Sequence, residues 1–220
     1  MKTNKQNAIV LISGGIDSTT ALWWAKSKRF MIRGVTFNYH NRNIKEIDAS
    51  RLIALKAECD EYNIIELPFM RDLEDLPNAP TQLKKTEKKV SSAYIPSKNN
   101  IFYSIAASLA ESVGASWIIG GHHQDDQSQF PDSTPKYFEQ LNFLLKTSLA
   151  SYKESPIKII NPLSAMNKSE VIKLSLELEA PLELTWSCYT NQKQTCGICR
   201  SCISRKNAFN NLKIIDPADI

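Results

Sequence analysis

The chain contains no apolar run of membrane-spanning length, and its polar start, residues 1–7, lacks the apolar core of an export signal. Neither a membrane protein nor an exported one is expected, and the default location is cytoplasmic. There is no stripe of clustered basic residues either. The net charge is +4 and the lysines are scattered. An extended nucleic-acid surface is therefore not expected, whereas a small polyanionic ligand is compatible with the charge. No internal repeat is evident. A disulfide ladder is also missing: of five cysteines, four fall within fifteen residues near the C-terminus, which is metal spacing. Cys59 stands alone in a helical pattern and reads as a small buried hydrophobe. What remains is a 220-residue chain long enough for one α/β domain with a sizeable core, or a domain plus an appendage.

The stretch from Ile9 to Thr20 organises the rest. Ile9-Val10-Leu11-Ile12 reads as a short buried strand, Gly14-Gly15 breaks it, and residues 19–28 read as a helix. A strand that turns into a helix at two glycines leaves backbone N–H groups at the turn. Together with the positive end of the helix dipole they make an anion site, to which Ser13, Ser18 and Thr19 add hydroxyl donors. Asp17 is the odd member, because a carboxylate repels phosphate. Its presence suggests a bridging Mg²⁺, which prefers oxygen ligands. The loop is not of the Walker type: it has no Gly-Lys-Thr and so no lysine of its own for the phosphates.

Further along, residues 31–37 predict a second strand, 44–62 a helix with apolar positions at Ile44, Ile47, Leu52, Leu55 and Cys59, and 63–67 a third strand. This β-α-β-α-β pattern implies a parallel, doubly wound sheet. Residues 68–93 break the rhythm with Pro77, Pro80 and a lysine-rich run, either a solvated excursion or a lid over phosphates. A helix over 101–113, a fourth strand over 117–120, a polar loop over 122–133, a helix over 136–149, a strand over 158–161 and a helix over 169–177 follow. In such a sheet ligands bind at the carboxyl ends of the strands. The segments 13–19, 38–42 and 122–133 are therefore expected to form one site. His122 or His123 is a candidate acid or base, although adjacent histidines in a polar loop more often lie in solvent.

Cys188-x7-Cys196-x2-Cys199-x2-Cys202 is the second specific motif. Four thiolates at this spacing suit a closed tetrahedral Zn²⁺ with a structural role. An iron–sulfur cluster uses the same donors. The organisation expected is a nucleotide-binding α/β domain over 1–180 and a zinc-binding segment over 181–220 packed on it.

The string Ser13-Gly14-Gly15-Ile16-Asp17-Ser18 resembles the PP-loop of the ATP-pyrophosphatase superfamily. With the cysteine tail, the chain resembles the 7-cyano-7-deazaguanine synthase family almost end to end. The matching residues include Phe37-Asn38-Tyr39 with Arg42 and Glu46, Tyr94-Ile95-Pro96 with Asn99, Phe130-Pro131-Asp132, Pro162-Leu163 with Lys168 and Glu170, and Leu182 to Tyr189 running into Cys196, Cys199, Cys202 and Arg205. The resemblance implies adenylation of the carboxylate of 7-carboxy-7-deazaguanine by Mg-ATP and displacement of AMP by ammonia, giving the nitrile on the route to queuosine and archaeosine. Ser13, Gly14, Gly15, Asp17, Ser18 and Thr19 would cradle pyrophosphate and metal. The end of the second strand, with Phe37, Tyr39 and Arg42, would meet the adenine nucleotide. Asp132, with Tyr39, Lys98 and Asp126, would face the heterocycle. Asp17, Ser18, Lys98 and Asp132 are the catalytic candidates, and a homodimer is implied.

The departures lie in the substrate loops. His40-Asn41-Arg42-Asn43 stands for Gly-Gln-Arg-His, Pro96-Ser97-Lys98-Asn99 for Pro-Ala-Arg-Asn, and Pro131-Asp132-Ser133-Thr134-Pro135 for Pro-Asp-Cys-Arg-Pro. Lysine lacks the bidentate fork of arginine. An enzyme that stops at the amide, or joins the activated acid to another amine such as one on a protein, is the alternative. A tRNA-modifying PP-loop enzyme and a non-catalytic zinc module that binds nucleic acid rank below it.

Overall fold

The computed structural model describes residues 6–39, 43–70, 95–190 and 194–219. Alternation sets its layers. Along β1 (Asn7–Leu11), Ala8 and Val10 point to one face and Ile9 to the other, and all three are buried. A strand so enclosed is central, and β1 pairs in parallel with β2 (Met31–Tyr39) on one side and β4 (Trp117–Ile119) on the other. With β3 (Glu61–Leu67) and β5 (Lys158–Ile160) the five-stranded sheet runs β3-β2-β1-β4-β5, parallel throughout. The chain winds outward from β1 to β3 and then returns to the far side of β1. The winding therefore reverses between β1 and β4, where a crevice opens at the strands' carboxyl ends.

Two helical layers cover the sheet. On one face, α1 (Ile16–Ser27), α2 (Ile44–Lys56), α5 (Lys168–Glu177) and α6 (Arg200–Leu212) bury Leu22, Ile53, Ile172 and Phe209 against Ala8, Val10 and Ile12. On the other, α3 (Lys98–Val113) and α4 (Pro135–Ser148) bury Tyr103, Ala106, Phe138 and Leu141 against Ile9, Val35 and Ile159. Each large side chain buried in this way stabilises the fold by roughly 1.5–3 kcal/mol.

The helix expected over 44–62 is shorter. It ends at Lys56, Glu58 takes a left-handed turn (φ 55°), and β3 begins at Glu61. Its apparent stripe misleads because Ile44, Leu52 and Leu55 are exposed, and the buried face is Ile47, Ala49, Ser50, Ile53 and Ala54. Cys59 is half-buried against the core, and burial pushes its thiol up to about 11. Helix α6 has no counterpart among the sequence expectations, since its start is hidden inside the cysteine motif. Arg42 and nearly all of the 68–93 segment lie outside the described residues.

Candidate nucleotide site and thiolate cluster

The turn after β1 closes on itself. Ser18 Oγ accepts from the Ser13 amide (3.0 Å) and donates to the Gly15 carbonyl (3.1 Å). Thr19 Oγ1 also donates to Gly15 (2.9 Å). Thr19 is wholly buried, and its hydroxyl fastens the turn. Gly15, the N-cap of α1, offers no side-chain cap, so the helix presents an uncapped N-terminus at the crevice. Gly14 has φ +84°, and a Cβ there would lie 2.3 Å from the Glu46 carbonyl of α2. At the end of β4, a Cβ on Gly121 would lie 2.7 Å from the Asp17 carbonyl carbon. Two backbones therefore cross here with no room for a side chain.

Asp17 meets a partner from 151 residues away. Lys168 Nζ lies 2.6 and 2.7 Å from its two carboxylate oxygens. Burial would raise the Asp17 pKa, but the Lys168 ammonium, helped by His123 and His122, outweighs burial and holds it below the ordinary range. The lysine missing from the loop's own sequence is thus supplied by α5, where Asn167 and Glu170 form a reciprocal cap and the Lys168 amide donates to Asp125 (3.0 Å).

His123 is buried, which corrects the expectation of a solvated pair. Its Nδ1 accepts from the Asp125 amide (3.2 Å), so the neutral ring carries its proton on Nε2. Nε2 lies 3.8 Å from Asp17 and 3.5 Å from Asp126. Asp126, expected at the heterocycle, therefore sits beside Asp17 and the turn that carries it. Burial raises its carboxyl pKa and the Asp17 charge adds to that, against the pull of His123. Asp17 and Asp126 provide the hard oxygen donors that suit Mg²⁺.

His122 packs between Tyr103 and Phe138. Burial, followed by the Lys98 charge, lowers its pKa to about 4. The unfolded chain takes up this proton near pH 6.5 and the folded chain only near 4. Stability should therefore fall as pH drops through that window, by about 2–3 kcal/mol. Denaturant melts of His122→Gln should show a flatter slope between pH 6.5 and 4 than the unaltered chain; equal slopes would refute the assignment.

A second cluster of the expected site residues forms where β2, α3 and the 130–134 loop meet. Phe37 stacks on Phe102 (4.4 Å) and Tyr39 lies 5.5 Å from the same ring. Asp132 is buried. Its carboxylate accepts the Asn99 amide (3.1 Å) and its carbonyl accepts Asn99 Nδ2 (2.8 Å), which fixes the first turn of α3 and Lys98 with it. Thr134 caps α4 by accepting the Tyr137 amide (3.2 Å), and Pro135 follows at the first helical position.

The four sulfurs of Cys188, Cys196, Cys199 and Cys202 lie within 4.8 Å of one another, and Cys196 and Cys202 are 4.0 Å apart. A tetrahedral zinc with bonds of about 2.3 Å requires sulfur separations of about 3.8 Å, so the donor set fits it. Amides of Cys199 and Ile198 draw the Cys196 thiol down to about 6, whereas burial beside other sulfurs pushes Cys202 up to about 12. Four sulfurs this close cannot all ionise without a cation among them. The tail is anchored by buried Arg205, whose guanidinium pairs bidentately with Asp216 and donates to Thr185 Oγ1 (2.8 Å) and the Leu182 carbonyl (3.2 Å).

The family described as queuosine biosynthesis protein QueC matches residues 7–213. Relatives named 7-cyano-7-deazaguanine synthase include one from Nostoc punctiforme, 33% identical over 96% of this chain and 97% of its own length. Another, from Prochlorococcus marinus strain AS9601, is 36% identical over 95% and 96%. One from Thermoplasma volcanium is 33% identical over 96% and 90%. Among solved structures, the NMN synthetase of Francisella tularensis superposes with a TM-score of 0.54 at 14% identity, over 96% of this chain and 78% of that one. A predicted subunit of tRNA methyltransferase from Methanocaldococcus jannaschii gives 0.53 at 18% identity, over 78% and 75%. These likenesses concern the fold.

Proposed function

The chain belongs to the QueC family, and on that premise we propose that it is an ATP-dependent carbon–nitrogen ligase converting 7-carboxy-7-deazaguanine to 7-cyano-7-deazaguanine with ammonia. The observation that carries the reading is the glycine turn at the uncapped start of α1, with Asp17 and Lys168 paired beside it at the crevice between β1 and β4.

In this reading the phosphates lie against the first amides of α1 and the Ser13 hydroxyl, with Ser18 and Thr19 holding the turn. Mg²⁺, held by Asp17 and Asp126, would neutralise the pyrophosphate as it leaves. Lys168 then exchanges its carboxylate for phosphate oxygens. The adenine nucleotide extends toward the end of β2, near Phe37 and Tyr39. Lys98 holds the acid as a point charge, and Asp132 orients the heterocycle. A carboxylate oxygen attacks the α-phosphorus, the bond to pyrophosphate breaks, and ammonia displaces AMP to give the amide and a proton. The nitrile retains neither carboxyl oxygen. The amide oxygen must therefore leave with a second AMP, which requires a second ATP. The protein contributes position and charge, not a covalent nucleophile. The zinc of the 181–220 segment is structural.

A second reading is favoured by the acceptor loops. Thr134 is occupied as a helix cap and carries no charge for the acid. An enzyme that stops at the amide, or joins the acid to another amine, needs the same first step only. Mass spectrometry of products from ATP, 7-carboxy-7-deazaguanine and ammonia tests both. Nitrile with AMP and pyrophosphate is the expected result. Amide alone selects the second reading, and ADP as the nucleotide product overturns both.

A further inference from the structure

Three elements distant in sequence meet at one short strap, residues 185–190. The Trp186 amide donates to the Gly14 carbonyl (2.9 Å), so the strap closes the open side of the phosphate turn, whose other side rests on α2. Trp186 Nε1 donates to the Cys188 carbonyl (2.9 Å), and Lys45 Nζ lies 4.4 Å over the indole ring. Asn43 joins the pieces. It is 3% exposed, its Oδ1 caps α2 by accepting the Lys45 amide (3.0 Å), and its Nδ2 donates to the carbonyls of Cys188 (3.3 Å) and Thr190 (2.6 Å). Cys188, itself wholly buried, is the first sulfur of the cluster.

We infer that Asn43 is a positioning residue for ATP: by tying the strap to the start of α2 it makes the order of the phosphate turn depend on the thiolate cluster. The inference rests on the ligase reading for its nucleotide and on geometry alone for its coupling. A phosphate site made of backbone amides needs those amides fixed beforehand. The Gly14 carbonyl has its partner only while the strap is seated. Arg205 holds the strap's start through Thr185 and Ser187, and two further ties seat the stretch that carries Cys188, the Asn43 amide group and the Cys188 sulfur held among its three companions. Releasing either should loosen residues 13–19 without disturbing the α3–α4 layer on the far face of the sheet.

The test uses full-length, zinc-loaded protein. Asn43→Asp keeps the capping oxygen but turns an acceptor toward two carbonyls. Asn43→Ser keeps a cap and is too short to span both. Amide hydrogen exchange without nucleotide should accelerate about 5- to 20-fold over residues 13–19 in both variants and be unchanged over α3. Stripping the metal from the unaltered chain with a chelator should do the same. The KM for ATP should rise by a similar factor in the variants while kcat at saturating ATP is retained. Loop exchange and KM equal to those of the unaltered chain would overturn the inference, as would variants or stripped protein that lose zinc yet keep the loop protected. If the unaltered chain binds no ATP, the ligase reading fails, and the exchange data still decide the coupling.

Discussion

Replacing Asp17 by alanine should abolish AMP and pyrophosphate formation, by about 10²- to 10³-fold or more, in a chain that remains folded. The carboxylate sits at the sheet's carboxyl edge, outside the two cores, so its loss leaves Leu22, Ile53, Tyr103 and their neighbours untouched. It also relieves the crowding with Asp126 that helps raise the Asp126 pKa. What is lost is the anion that pairs with Lys168. Because the folded Asp17 pKa is held below its unfolded value, its pairing stabilises the fold above about pH 4 and is lost as pH falls through the folded value. Asp17→Asn keeps the shape and should be nearly as inactive. Chromatographic assay of AMP, with a circular-dichroism melt of each variant, reads both effects. A variant that still releases AMP at an ordinary rate removes Asp17 from the chemistry.

Arg205→Met should cost about 3–5 kcal/mol, the largest stability effect expected of any single change here. It leaves Asp216 buried without its bidentate partner and takes donors from the Leu182 and Thr185 carbonyls. Since Thr185 and Ser187 belong to the strap that carries Cys188, the thiolate cluster should hold a metal less tightly as well. Arg205→Lys should recover little, because one ammonium cannot replace a fork spanning Asp216 and Thr185. Arg205→Met with Asp216→Leu should recover much of the loss, since it removes both buried charges. Thermal melts and elemental zinc analysis distinguish these cases. A single variant that melts like the parent would show that the pair contributes nothing net.

The sheet was legible because its signals are local. Ile9 to Leu11 before Gly14-Gly15, and Ile118-Ile119 before Gly120-Gly121, mark strand ends by composition alone. The cysteine cluster was legible because spacing limits which sulfurs can meet. Lys168 was not legible as a partner of Asp17, because nothing near either residue in sequence points to the other. His123 reads as a loop residue, and only the packing of the 122–126 turn onto α1 buries it. The false stripe of Leu52 and Leu55 has the opposite cause: periodicity reports where apolar residues could face, not whether a neighbour covers them.

The distance between Asp17 and its cation bears on how the protein is made. In synthesis the turn at Gly14-Gly15 leaves the ribosome before α5 and the strap. Yet its ammonium partner must wait for Lys168 and its strap for Trp186. Loop closure over so long a span comes late in folding. A nascent or truncated chain that stops before α5 can form β1 to β4 and still be inert toward nucleotide. If the chain is the ATP-dependent ligase proposed above, its competence toward nucleotide reports that synthesis has passed the strap.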